Sequence, residues 1–132
     1  MVDTYTLEGE LIAYIAPILH INQPDEIHRG FVPEGISCGI GLSVVRREDT
    51  GDYDIRQNVR SVIVSGKFET RRDAMDFIDR LDLAFPAYGV RLESAFCHSI
   101  EPDEETGEPP RQATENGMRR WFASYVLHVS AC

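Results

Sequence analysis

The chain has 132 residues, enough for one domain with its own core and too few for two. Apolar residues make up 42% and charged residues 27%, the balance of a globular protein. Thirteen bases against 22 acids leave a net charge of −9, a field that repels phosphate and disfavours both nucleic-acid complexes and anionic membrane surfaces.

The first element is a helix from Leu7 to about Leu19. Thr6 stands at its N-cap, and Glu8 and Glu10 suit the positive end of the dipole. Leu7, Leu11, Ile12, Ile15, Ile18 and Leu19 fall on one stripe, and Pro17 ends or kinks the helix. This apolar stretch is too short to cross a bilayer and follows acids, so neither a membrane span nor an export signal is expected. Residues 20–36 read as an ordered loop, with Asn22-Gln23-Pro24, Arg29-Gly30 and Pro33-Glu34-Gly35 as its turn signals.

A strand is expected from Ser37 to Arg47, where Cys38, Ile40, Leu42 and Val44 alternate with small residues. Thr50-Gly51-Asp52 marks a turn, and Ile55 to Phe68 pairs back as the second arm of a hairpin. The clearest helix runs from Arg71 to Phe85, capped by Thr70 with Asp73 three residues on. Its apolar face is Ala74, Phe77, Ile78, Leu81, Ala84 and Phe85, and Pro86 stops it. Gly89 to Ile100 reads as a third strand. An acidic loop over 101–118 leads to a last strand from Arg119 to Ser130. The order α-β-β-α-β-β predicts a single α+β domain over 1–132, with two layers. Two helices pack on a mainly antiparallel four-stranded sheet.

Charge is unevenly placed. Residues 1–35 carry six acids against one base. Glu101, Asp103, Glu104, Glu105 and Glu108 crowd one segment, and Arg119 and Arg120 follow it. Such a layout suits a solvated loop, or a head-to-tail contact in which the acids of one copy meet the arginines of another. Arg46 and Arg47, at the turn of the first hairpin, join these as candidate interface residues.

The residues offer little for catalysis. His20, His28, His98 and His128 and the cysteines lack CxxC, HxH or HExxH spacing, so no metal site is expected. Cys38, Cys97 and Cys132 read as free thiols of a reducing compartment, with Cys38 and Cys97 in apolar strands. Cys97 and His98 point to opposite faces of their strand, and His98 and His128 lie on strands that can pair. No GxSxG elbow is present, and Gly39-Ile40-Gly41 opens no phosphate loop. Asp76, Asp79 and Asp82 lie on a convex helix face. The reading is no catalytic residue, no cofactor and no enzyme.

Three patterns carry a resemblance. An amphipathic helix from Leu7 to Leu19 precedes a Pro33-Glu34-Gly35 loop and a strand. A strand through Val62-Ile63-Val64 runs at once into the helix bearing Arg72-Asp73-Ala74. A proline-bearing loop, Glu115-Asn116-Gly117, then Arg119 and Arg120, lead into an aromatic final strand. Over nearly its whole length the chain resembles the tail terminator (tail completion, minor capsid) proteins of tailed bacteriophages. The acidic insert is longer than the resemblance implies.

That resemblance implies a virion structural protein of the neck, assembled in the host cytoplasm as a hexameric ring. The ring caps the tail tube, stops its polymerisation and meets the head-completion or connector protein. DNA passes through the lumen, which an acidic lining keeps free of sticking, and no membrane is involved. The alternatives are another phage neck (head-completion) ring component, an acidic inhibitor that mimics DNA, and a small α+β enzyme.

Overall fold

The computed structural model describes residues 2–21, 26–33, 35, 38–46, 58–103, 111–115 and 118–131, with the backbone alone at 46, 58, 111–115, 118–122 and 131. Its elements are α1 (Thr4–Ile15), β1 (Ile27–Arg29), β2 (Gly39–Arg46), β3 (Asn58–Phe68), α2 (Arg71–Ala84), β4 (Ala87–Arg91), β5 (Ala95–Pro102), β6 (Arg111–Glu115) and β7 (Met118–Ala131). The sheet runs β1-β2-β3-β7-β5-β4, with β6 also on β7. The class is α+β, as the sequence predicts. The four-stranded count is corrected, and the sheet is mixed, because β1 lies parallel to β2.

The α1 helix starts earlier than Leu7. Asp3 is the cap: its carboxylate accepts from the Thr6 amide at 3.1 Å and the Thr6 hydroxyl at 2.6 Å. Those bonds hold the Asp3 carboxyl below its ordinary range. The helix ends at Ile15 because Pro17 has no amide to continue it. A further turn still buries Leu19, and His20 closes it in the left-handed region at φ 59°. Helix α2 forms as read, with the Thr70 hydroxyl accepting from the Asp73 amide at 3.1 Å.

The β2–β3 hairpin pairs in one unbroken register, Val44 opposite Val62. The central strand is β7, which pairs with β3 from Arg119 to Val129. The predicted third strand is two strands. β4 and β5 form a hairpin closed by Leu92 N–H to the Ala95 carbonyl at 2.8 Å. Glu93 and Ser94 carry no glycine or proline to announce that turn.

Both helices load the same sheet face. Leu42 and Val44, Val62 and Val64, Ala95, Cys97 and Ile100, and Ala123, Tyr125, Leu127 and Val129 are buried there. They form one core with Leu7, Leu11 and Ile15 of α1 and Ala74, Phe77 and Leu81 of α2. Gly66 leaves room for the Phe68 ring, which packs on Phe77 with centroids 5.1 Å apart. Glu10 of α1 accepts from the Ser94 amide at 2.7 Å and hydroxyl at 2.9 Å. Arg80 of α2 bonds the Leu19 carbonyl at 3.5 Å, linking the two helices. No helix among the described residues is long and apolar enough to cross a membrane.

Candidate assembly surface

The acidic segment is shorter than a 101–118 loop. β5 continues to Pro102, and β6 takes up residues 111–115. Both strands pair with the same edge of β7. Pro102 sits opposite Tyr125 and Arg111 opposite Phe122. Pro102 and Arg111 therefore sit against β7 positions three residues apart, roughly 10 Å at the rise of a strand. Glu101 is exposed at the end of β5. Asp103 is half-buried, its amide donating to the Ser124 carbonyl at 3.0 Å. Glu104, Glu105 and Glu108 lie outside the described residues, as do Arg47 and the Thr50-Gly51-Asp52 turn.

The arginines separate into two places. Arg119 and Arg120 belong to the interior of the sheet. Arg119 is flanked by Phe68 and Thr114, Arg120 by Lys67 and Ala113. Arg46 ends β2 opposite Arg60. It stands across β3 and β7 from the acidic segment and at the other end of the strands from Arg119 and Arg120. The structure thus brings Arg119 and Arg120 near the acidic segment's return and places Arg46 on the opposite lateral side.

That lateral side is partly unpaired. Among the described residues, β1 covers β2 only from Ile40 to Leu42. Beyond it, Glu8 of α1 accepts the Val44 amide at 2.9 Å, where a neighbouring strand would otherwise bond. Arg29 lies 3.9 Å from the Glu8 carboxylate, donates to the Tyr5 carbonyl at 3.0 Å and stacks 3.8 Å over the Tyr5 ring. A side chain at Gly9 would collide with that guanidinium. Arg60 is buried, bonding the Val2 carbonyl at 3.3 Å and the Thr4 hydroxyl at 3.2 Å.

The face away from the helices is less completely buried, although Val59 is buried on it. Ser43, Ser61, Ile63, Ser124, Val126, His128 and Ser130 are half-buried, and Val45 is exposed. Among the described residues a strap, Gly30 to Pro33, crosses one corner, with the Gly30 amide on the Leu42 carbonyl at 2.9 Å. His98 is exposed and bonds the Ser130 hydroxyl at 2.9 Å through Nε2. A register shift between Cys97 and Ser99 puts Ser99 opposite His128, so the two histidines do not face each other. Cys97 is buried on the face opposite His98, while Phe96, expected on the apolar face, is half-buried on the other. Cys38 is exposed and precedes β2, which corrects its placement in an apolar strand.

Asp76, Asp79 and Asp82 are exposed on α2. Among the described residues no three His, Cys, Asp or Glu side chains converge as metal ligands. Burial, with a contribution from Asp82, pushes the Tyr125 hydroxyl up to about 12. Sequence reasoning passed over three features: β1, the β6–β7 hairpin and the buried pair Ser65 and Lys67. Asn116-Gly117 between the paired Glu115 and Met118 was the available signal for the hairpin.

No family model matches the chain, and no curated protein matches it. Solved structures do. One of them, whose name states no function, has a TM-score of 0.54 at 15% identity, over 97% of this chain and 92% of that one. This likeness concerns the fold alone.

Proposed function

We propose that the chain is a structural subunit of a phage neck: a tail terminator that forms a hexameric ring on the end of the tail tube. In this reading the ring halts tube polymerisation, presents a surface to the head-completion or connector protein and lets DNA pass through its bore. It works within the virion, without a cofactor or a catalytic step. The observation that carries the reading is the lateral separation of charge. Glu101 and Pro102, next to Asp103, pair on one side of β7, and the Arg46 backbone ends β2 on the far side of β3. Closed rings need two different, complementary patches on opposite sides of one subunit, and charge sets their register and approach.

In this reading Arg46 matters more than Arg119 and Arg120. Arg119 and Arg120 are inner-strand residues beside the acidic segment of their own subunit. Arg46 ends β2, across β3 and β7 from Glu101 and Pro102, and Arg47 follows it in sequence. Charge reversal tests this directly. R46E/R47E lowers the assembled mass in light scattering, and the same loss follows from reversing Glu104, Glu105 and Glu108. Combining the two sets restores assembly. Unchanged assembly in both reversals overturns the proposed contact.

A further inference from the structure

Lys67 and Ser65 lie two residues apart on β3, on the side away from the helices, at the corner beneath the strap. Lys67 is 4% exposed and Ser65 7%. The Lys67 ammonium donates to the Pro33 carbonyl at 2.9 Å, its one hydrogen bond among the described residues. No carboxylate of those residues lies within ion-pair distance of it. The Ser65 hydroxyl is buried and makes no hydrogen bond among the described residues.

Both features are costly. A buried ammonium without a counter-charge loses hydration that one carbonyl only partly replaces. A buried hydroxyl without a partner loses the hydrogen bonds that water gives it in the unfolded chain. Adjacent strands keep the corner narrow with small residues. Gly39 is paired to Lys67 and Gly41 to Ser65. A Cβ at Gly41 would lie 3.1 Å from the Ser65 hydroxyl and 3.3 Å from the Val32 amide, and would collide with the Gly30 carbonyl. A Cβ at Gly39 would come within 3.3 Å of Val32 and 3.4 Å of His28. Among the described residues, a cation without a counter-charge and a hydroxyl without a partner thus lie beneath one strap.

We propose that Lys67 and Ser65 form an oxyanion-binding site beneath the Gly30–Pro33 strap, taking a carboxylate or a phosphate group. The ammonium has two N–H donors beyond the one on Pro33, and the Ser65 hydroxyl supplies a third. An oxyanion accepts from all three and neutralises the lysine, which removes both costs. Acids abound in this chain, so the carboxylate can come from a second copy as well as from solution. The site stands whether or not the chain forms a ring.

The test is a titration of the 15N-labelled full chain with sodium phosphate and with sodium acetate, against sodium chloride at equal ionic strength. Amide shifts of Val32, Gly41, Ser65 and Lys67 and the thermal midpoint are read together. The expected result is saturable shifts at these amides and a raised midpoint with one or both oxyanions and not with chloride. K67M weakens the response by on the order of tenfold or more, and S65A by severalfold, while both keep the fold. If the same amides shift with protein concentration and no added anion, and K67M abolishes it, the carboxylate is a second copy's. No saturable response in any series, or an equal response in K67M and S65A, overturns the site.

Discussion

The two faces of the sheet are made from alternate residues of the same strands, yet they obey different rules. On β7, Ala123, Tyr125, Leu127 and Val129 face the helices and are at most 6% exposed. Their neighbours Ser124, Val126, His128 and Ser130 keep contact with solvent. Strand periodicity alone assigns the two sets. What separates them energetically is cover. α1 and α2 bring Leu7, Leu11, Phe77 and Leu81 onto one face, while on the other the strap crosses one corner. The covered face therefore carries stability, and the open face and its flanking edges are where a partner can add area without dismantling a core.

The contrast sets the order of expected effects. The largest is on the covered face. Leu127 is completely buried, so Leu127→Ala leaves a cavity and costs about 2–5 kcal/mol, read by denaturant unfolding. A cost below about 1 kcal/mol would mean that the helices pack more loosely than described. Tyr125 gives the same face a pH signature. Its folded-state value of about 12 lies above the ordinary 10.0, so folding favours the neutral phenol. That stability is fully present below pH 10 and is lost as the pH rises toward 12. An alkaline series on Tyr125→Phe removes the decline attributable to this group, and an unchanged curve contradicts the assignment.

Smaller effects belong to the periphery. Thr70→Ala removes the hydroxyl that caps α2 and costs about 1 kcal/mol, with Thr70→Ser keeping most of it. On the open face, Val126→Ser changes the stability of the isolated chain by no more than about 0.5 kcal/mol. If Val126→Ser proved as damaging as Leu127→Ala, the distinction between the faces would fail.

Much of the covered face was legible from sequence. The Thr70 cap and the Ala74–Phe77–Leu81 stripe fix α2 locally, and the alternation through Ala123, Tyr125, Leu127 and Val129 sets the faces of the last strand without knowledge of partners. The missing elements are those made by long-range pairing. Ile27–Arg29 is too short to show a period and becomes a strand only because β2 lies beside it. Apolar alternation runs through Val90, Leu92, Phe96 and Ile100, which hides the β4–β5 turn. β6 reads Arg-Gln-Ala-Thr-Glu, with no apolar face to announce it. The candidate interface was legible as charge and not as position. Counting acids and arginines cannot reveal that β3 and β7 hold Arg46 and the acidic segment on opposite sides, or that Arg119 and Arg120 are flanked on both. Lys67 was invisible for a related reason: its burial depends on a strap from 34 residues earlier.

The central claim is that these opposed charges close copies of the chain into a ring. The most direct measurement is the native mass by light scattering, over a concentration series at low and high salt, with and without purified tail tubes of the cognate phage. The account predicts a closed six-copy particle, free or on the tube end, that loosens as salt screens the acid–arginine contacts. A chain that stays monomeric at every concentration and leaves tube ends uncapped and growing contradicts it.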